Sequence, residues 1–167
     1  PNGKYVKAEI NGEIWYISKE AIHLLENQNK RVKIIHTFNG IDLVGKSAKH
    51  ILPSRKLPIL PGDFVDTSAA TGVVYSVPAH APYDWIALVE SGENIEPITI
   101  IDVKGFGTNP AKEACDRLDI KSQSETEKLD IATEEVYKKE FHTGYLNENC
   151  GIYAGISISD IKDAVKD

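Results

Sequence analysis

Asn11-Gly12 lies between two stretches of alternating apolar and polar residues, Lys4–Ile10 and 13–17, and no other short signal restricts the fold as tightly. An Asn-Gly pair takes the positive φ angles that a two-residue hairpin turn demands. Strand side chains alternate faces with a period of two, so Val6, Ala8 and Ile10 share one face once that turn sets the register. The chain is therefore expected to open with an antiparallel hairpin.

Local signals of the same kind continue along the chain. Ser18 is placed to cap a short helix bearing Ala21, Ile22, Leu24 and Leu25, which weakens at Asn27 and Asn29. Residues 31–38 alternate as a strand, Asn39-Gly40 signals another turn, and 41–44 read as the returning strand. Pro53, Pro58 and Pro61 break the next stretch into an extended connector, because proline lacks a donor and restricts its predecessor. Phe64-Val65, 73–77 and 98–103 are strand candidates, and a short helix over 84–90 comes after Pro82. Asn109-Pro110 predicts a helix carrying Ala111, Ala114, Cys115 and Leu118, and Ser124 with Glu127 forms a capping box for another, with Leu129, Ala132, Val136 and Tyr137. Residues 152–158 alternate again, and Ser159 caps a final helix with Ile161, Ala164 and Val165. With no repeat or low-complexity tract, one α+β domain on antiparallel or mixed strands is expected.

Length and charge narrow the function classes. At 167 residues and 41% hydrophobic content the chain can bury one core but not a complete multi-substrate synthetase or motor. No run approaches the ~18 apolar residues of a membrane span, and Pro1-Asn2-Gly3-Lys4 begins no export signal, so a soluble, intracellular protein without membrane partners is expected. The net charge of −6 repels a freely approaching polyanion, so any nucleic-acid contact must be local. Cys115 and Cys150 stand far apart without CxxC spacing and are expected to be free thiols. His23, His36, His50, His80 and His142 make no HxxxH or HExxH pair, so no metal site is expected.

Three constellations have both a chemical and a plain reading. Ser76, His80 and Asp84 supply the residue types of a hydrolytic triad, but Pro78 and Pro82 interrupt the helix their spacing suggests; alternatively His80 is a turn residue bonded to backbone and Asp84 a helix cap. Gly105-Phe106-Gly107 before Pro110 resembles a phosphate loop only loosely, and a loop needing positive φ accounts for it. Lys30-Arg31-Lys33 and Lys46-Lys49-Arg55-Lys56 could touch phosphates, scattered surface charge being the commoner explanation; Trp15, Tyr16 and Trp85 read as core or rim.

Within 70–88, the run Thr71-Gly72-Val73-Val74-Tyr75-Ser76-Val77-Pro78-Ala79-His80-Ala81-Pro82-Tyr83-Asp84 resembles the hallmark segment of the editing domain inserted in leucyl-tRNA synthetases, in its archaeal and eukaryotic branch. Pro61-Gly62-Asp63-Phe64-Val65-Asp66, Gly105-Phe106-Gly107-Thr108-Asn109-Pro110-Ala111, Lys138-Lys139-Glu140-Phe141-His142-Thr143-Gly144 and Tyr153-Ala154-Gly155 extend the resemblance over nearly the whole chain. It implies an α+β, mainly β fold: a closed six-stranded β-barrel core with peripheral helices. It also implies hydrolysis of the ester joining a noncognate amino acid to the tRNA 3′ adenosine. Asp84 matches the aspartate that holds the substrate α-ammonium; Tyr75 and Val77 match pocket walls. Thr71, Gly72, Val73, Ser76, His80 and Tyr83 lie on the same segment as candidate substrate-binding residues. Ala81 stands where bacterial members often carry an acidic residue.

The implied partners are the 3′ end of mischarged tRNA(Leu) and the remainder of the synthetase, in the cytoplasm. Editing would need no cofactor, ATP and Mg serving the parent enzyme elsewhere, and the isolated domain is expected to be monomeric. A threonine-rich half-site with an arginine, expected upstream of Tyr5, does not occur in these residues. Two other function classes stay open: a non-catalytic RNA-binding or packing module of the same fold, and a Ser-His-Asp esterase.

Overall fold

The Asn11-Gly12 turn forms with φ of 51° and 90°, joining β1 (Lys4–Ile10) to an antiparallel β2 (Glu13–Ser18). β3 (Val32–Asn39) pairs with the other edge of β1, giving the order β2-β1-β3 with a register shift between Lys7 and Ala8. Val6, Ala8 and Ile10 are buried on one face, as their spacing requires, together with Ile17 and with Leu25 of α1 (Ile22–Asn27). A small hairpin of β4 (Ser47–Lys49) and β5 (Lys56–Pro58) comes next. The computed structural model describes residues 2–49 and 56–161; His50, Pro53, Arg55, Ala164 and Val165 lie outside the described residues.

These elements belong to the first of two compact units, Pro1–Tyr75, the second being Ser76–Asp167. In the second unit α2 (Pro82–Ser91), α3 (Pro110–Arg117) and α4 (Thr126–Thr143) enclose a core of Ile86, Ala114, Cys115, Ile120, Leu129, Ala132 and Val136. β6 (Ile101–Val103) pairs antiparallel with β7 (Gly144–Leu146), and a 3-10 stretch spans Glu148–Tyr153. Among the described residues no helix is long and apolar enough to cross a membrane.

The expected helix starts mostly hold. Pro82 and Pro110 occupy first-turn positions, and the Asn109 side chain accepts the Lys112 N–H at 2.9 Å. Ser18 caps no helix directly, yet its hydroxyl accepts the Ala21 N–H at 3.0 Å, at the residue preceding α1. The Ser124/Glu127 box is replaced: α4 begins one residue after Glu125, whose carboxylate accepts the N–H groups of Lys121 and Ser122 at 2.8 and 3.2 Å. The Glu125 carboxyl is lowered to about 2, the side-chain bond from Lys128 contributing most and the Lys121 N–H next.

Four strand expectations, and the barrel that the resemblance implies, are corrected. Residues 41–44 do not return as a strand; Asp42 accepts the Asn39 N–H at 2.9 Å and a 3-10 turn, Gly40–Asp42, satisfies the backbone locally. Residues 64–65 and 73–77 lie in no strand, and Val73, Val74, Tyr75 and Val77 are all exposed. Residues 152–158 form the end of the 3-10 stretch plus one isolated bridge, Tyr145 with Ser157. The described residues therefore hold one three-stranded and two two-stranded sheets, not a closed six-stranded barrel, and helix outweighs strand. β-branched runs become strands only where a neighbouring backbone offers a ladder: among the described residues 73–77 join none, and 155–158 reach β7 only through the backbone bonds around that one bridge.

The 66–72 loop is tied down within the first unit. The Ser18 N–H donates to the Thr71 carbonyl at 2.8 Å, the Tyr5 hydroxyl to the Gly72 carbonyl at 2.9 Å, and the Ser18 hydroxyl to the Thr67 carbonyl. Gly72 has φ +65°, and a Cβ there would sit 2.5 Å from Ser18 Cβ and 3.1 Å from the Thr67 carbonyl oxygen. Gly72→Ala thus combines left-handed strain with overpacking and is expected to cost about 2–4 kcal/mol. Urea unfolding checks this; a loss below ~0.5 kcal/mol, an ordinary surface value, would contradict so close a contact.

Candidate active site

Pro82 opens α2 two residues before Asp84, placing the Asp84 carboxylate in the first helical turn, where the helix dipole favours negative charge. Its Oδ2 accepts the Val77 N–H at 2.6 Å, and the Ser76 side chain also bonds to it. The residue is 5% exposed. Burial pushes its carboxyl above the ordinary aspartate range, partly offset by the bonds from Val77 and Ser76. The short, charge-assisted bond folds the 77–84 segment back on itself, so Ser76, Val77 and Asp84 form one cluster.

His80 stands in the turn preceding α2. The Ile100 N–H donates to its Nε2 at 3.0 Å, and a backbone N–H can only donate, so Nε2 is the acceptor of a neutral ring. Nδ1 then carries the proton and donates to Glu140 Oε1 at 2.6 Å. Both side chains are 8% exposed, making this the buried ion-pair-type contact of α4. Sequence reasoning passed over Glu140 as a site residue. The signal was present: Leu129, Ala132, Val136 and Glu140 are all buried at helical spacing, so a carboxylate falls on the apolar stripe of α4 and requires a partner.

A Ser-His-Asp triad is not assembled. The His80 nitrogens are taken by Ile100 and Glu140, while Ser76 bonds directly to Asp84. The plain reading of His80 as a turn residue bonded to backbone is correct in part, with Glu140 as the addition. Asp84 is not the N-cap, which is Ala81, but it does accept a backbone N–H upstream of its helix. Tyr83 donates to Asp130 Oδ1 at 2.8 Å and packs against the helical core. In the Gly105 turn, at φ +92°, the Gly107 N–H donates to Glu113 Oε1 at 2.7 Å, so a carboxylate already holds the group a phosphate would need.

The remaining sequence candidates, Thr71, Gly72, Val73 and Tyr75, belong to the first unit. There Thr71 and Gly72 are fixed by Ser18 and Tyr5, whereas Val73 and Tyr75 are 53% and 62% exposed. Among the described residues no group of three or more His, Cys, Asp or Glu side chains could hold a metal ion. Both cysteines are free, and burial pushes the Cys115 thiol up to about 11, making it a poor nucleophile.

No family model matches the chain. It is, however, 44% identical to a leucine–tRNA ligase of Methanocaldococcus jannaschii and 38% identical to one of Pyrococcus horikoshii, over 98% and 99% of its own length. Its backbone superposes on the GlLeuRS-CP1 crystal structure with a TM-score of 0.79 at 25% identity, covering 98% of this chain and 66% of that one. The chain belongs to the leucyl-tRNA synthetase editing-domain family. The Plasmodium falciparum cytosolic leucyl-tRNA synthetase editing domain shares the fold, with the same TM-score at 18% identity over 98% of this chain and 67% of that one. The chain spans about a fifth of the length of the curated relatives it matches, 19% in each case quoted.

Proposed function

We propose that the 167 residues act together as one post-transfer editing domain, hydrolysing the ester of tRNA(Leu) mischarged with isoleucine, norvaline or a methionine-like residue. The observation that carries this is the match to leucine–tRNA ligases over 98% of the chain, which includes the Asp84 cluster. Its partners in this reading are the tRNA 3′ end and the rest of a cytoplasmic synthetase.

The physical need is plain. One methylene in an apolar pocket is worth only ~1–3 kcal/mol, so an activating site cannot reject every isostere of leucine by binding alone. A second, hydrolytic site completes the discrimination. An aminoacyl ester is already activated, and its hydrolysis asks chiefly for a fixed carbonyl and a positioned water. In this reading the ionised Asp84 pairs with the substrate α-ammonium, its orientation set by the Val77 N–H and Ser76. Asp84 is an anchor rather than a base, because that charge pair lowers its basicity. Thr71, Gly72, Val73, Tyr75, Ser76 and Val77 serve the adenosine, the ester and the side chain, and His80 and Tyr83, with polar atoms engaged by Glu140, Ile100 and Asp130, are assigned with them as substrate-binding residues.

The test is deacylation by a leucyl-tRNA synthetase carrying this chain as its editing domain. Isoleucyl- and norvalyl-tRNA(Leu) should be cleared, leucyl-tRNA(Leu) retained, and N-acetyl-isoleucyl-tRNA(Leu) spared because it lacks the ammonium. Clearance no faster than the uncatalysed reaction would leave the non-catalytic module as the better reading. Ser76→Ala should retain at least part of the activity, whereas a serine esterase would lose it all.

A further inference from the structure

The β2-β1-β3 sheet has a second face, which the buried cluster of Val6, Ala8 and Ile10 does not use. Lys7 lies opposite Tyr16 on one side and His36 on the other, so a lysine is flanked by two rings across three strands. Phe38 extends the row: it stacks with His36 at 6.2 Å and 18°, and with Tyr5 at 6.3 Å and 21°, while Tyr16 meets it tilted at 6.1 Å. Tyr16, His36, Phe38 and Lys7 line a depression of about 320 Å³ that Lys46 and Asp42 also border. Tyr16 is 51% exposed.

We propose that this face binds single-stranded RNA, a base stacking on Tyr16, His36 and Phe38 while Lys7 and Lys46 meet the adjoining phosphates. Charge and shape together select the occupant. Among the described residues no carboxylate forms an ion pair with Lys7 or Lys46; Lys46 donates to the Asp42 carbonyl, and the Asp42 carboxylate is held by the Asn39 N–H. Exposed rings on a sheet face with lysines at their edges suit a π-faced, anionic polymer, and unpaired bases present their faces where duplex bases do not. A chain of net charge −6 can attract such a polymer only through a local cationic rim of this kind. The proposal is independent of the editing reading, since it uses none of the residues assigned to it.

Fluorescence anisotropy with labelled single-stranded oligoadenylate tests it on the full chain. Binding should be weak and salt-dependent, with duplex RNA and an abasic sugar–phosphate strand each at least about tenfold weaker. Tyr16→Ala should weaken oligoadenylate binding about tenfold, the effect of losing one stacked base. Lys7→Gln with Lys46→Gln should flatten the log–log salt slope by roughly 1.4, at ~0.7 per lost phosphate contact on a single strand. Phe38→Ala risks unfolding because Phe38 is partly buried; the exposed Tyr16 and the two lysines keep the test decisive. Lys138→Gln, on α4, should change nothing. No binding, equal binding of the abasic strand, unchanged binding by these variants, or a self-association abolished by Tyr16→Ala would each overturn the proposal.

Discussion

Asp84→Asn and Asp84→Ala are expected to lose editing alike but to part in stability. In a synthetase carrying this chain, either change removes the negative charge that pairs with the substrate ammonium. A hydrogen bond to a charged group is worth about 1.5–3 kcal/mol, and each 1.36 kcal/mol is tenfold in rate. Clearance of isoleucyl- or norvalyl-tRNA should therefore fall roughly tenfold to a hundredfold or more, with leucine activation little changed. The folding consequences differ. Asp84→Ala leaves the Val77 N–H without its acceptor, at a cost of about 1–3 kcal/mol. Asp84→Asn keeps an acceptor oxygen there.

Asparagine also removes a buried charge. Burial raises the Asp84 carboxyl, so the folded state favours the neutral acid. That preference stabilises the fold below the unfolded-state pKa and is lost as pH rises through the folded one. At neutral pH the asparagine variant should consequently be at least as stable as the parent, which urea unfolding at about pH 3, below the ordinary aspartate value, and at about pH 7.5 will measure. Deacylation at the parental rate by the asparagine variant would reduce Asp84 to a backbone acceptor and remove the anchor.

The largest purely structural effect is expected at Glu140. Glu140→Ala orphans the His80 Nδ1–H in a site where both partners are 8% exposed, and it opens a gap beside α4. The combined cost should be about 2–5 kcal/mol, enough to lower the melting temperature by roughly 5–15 °C in a chain of this size. Glu140→Gln retains an oxygen for the Nδ1–H and should cost under about half as much. A double-mutant cycle with His80→Ala measures the coupling directly: a coupling of less than ~0.5 kcal/mol between them would show that the pair is not a structural tie.

Much of the chain was legible because its signals are local. Asn11-Gly12 sets its own φ angles, Asn109 caps its own helix, and Pro82 starts the turn that carries Asp84. The 77–84 segment is singled out as a site by its resemblance to the family's hallmark run, its local signals predicting only the turn, the helix start after Pro82 and a capping role for Asp84. The runs that misled were those whose outcome depends on a distant backbone. Residues 73–77 have strand composition without a paired strand, and residues 41–44 settled for local 3-10 bonds.

Glu140 shows the other side of that limit. Its position on the apolar stripe of α4 announced an unusual carboxylate, yet nothing local could name His80, sixty residues away, as the group that hydrogen-bonds to it. By itself the sequence determined the Asn11-Gly12 hairpin and the starts of α2 and α3, because turn, cap and proline geometry are decided within a few bonds. Only the tertiary structure decided which strands pair, that His80 serves Glu140 and Ile100 instead of Ser76, and how deeply Asp84 is buried. Ladder partners, buried hydrogen-bond partners and desolvation are all set by residues far away in the chain, and their free energies exist only once those residues are brought together.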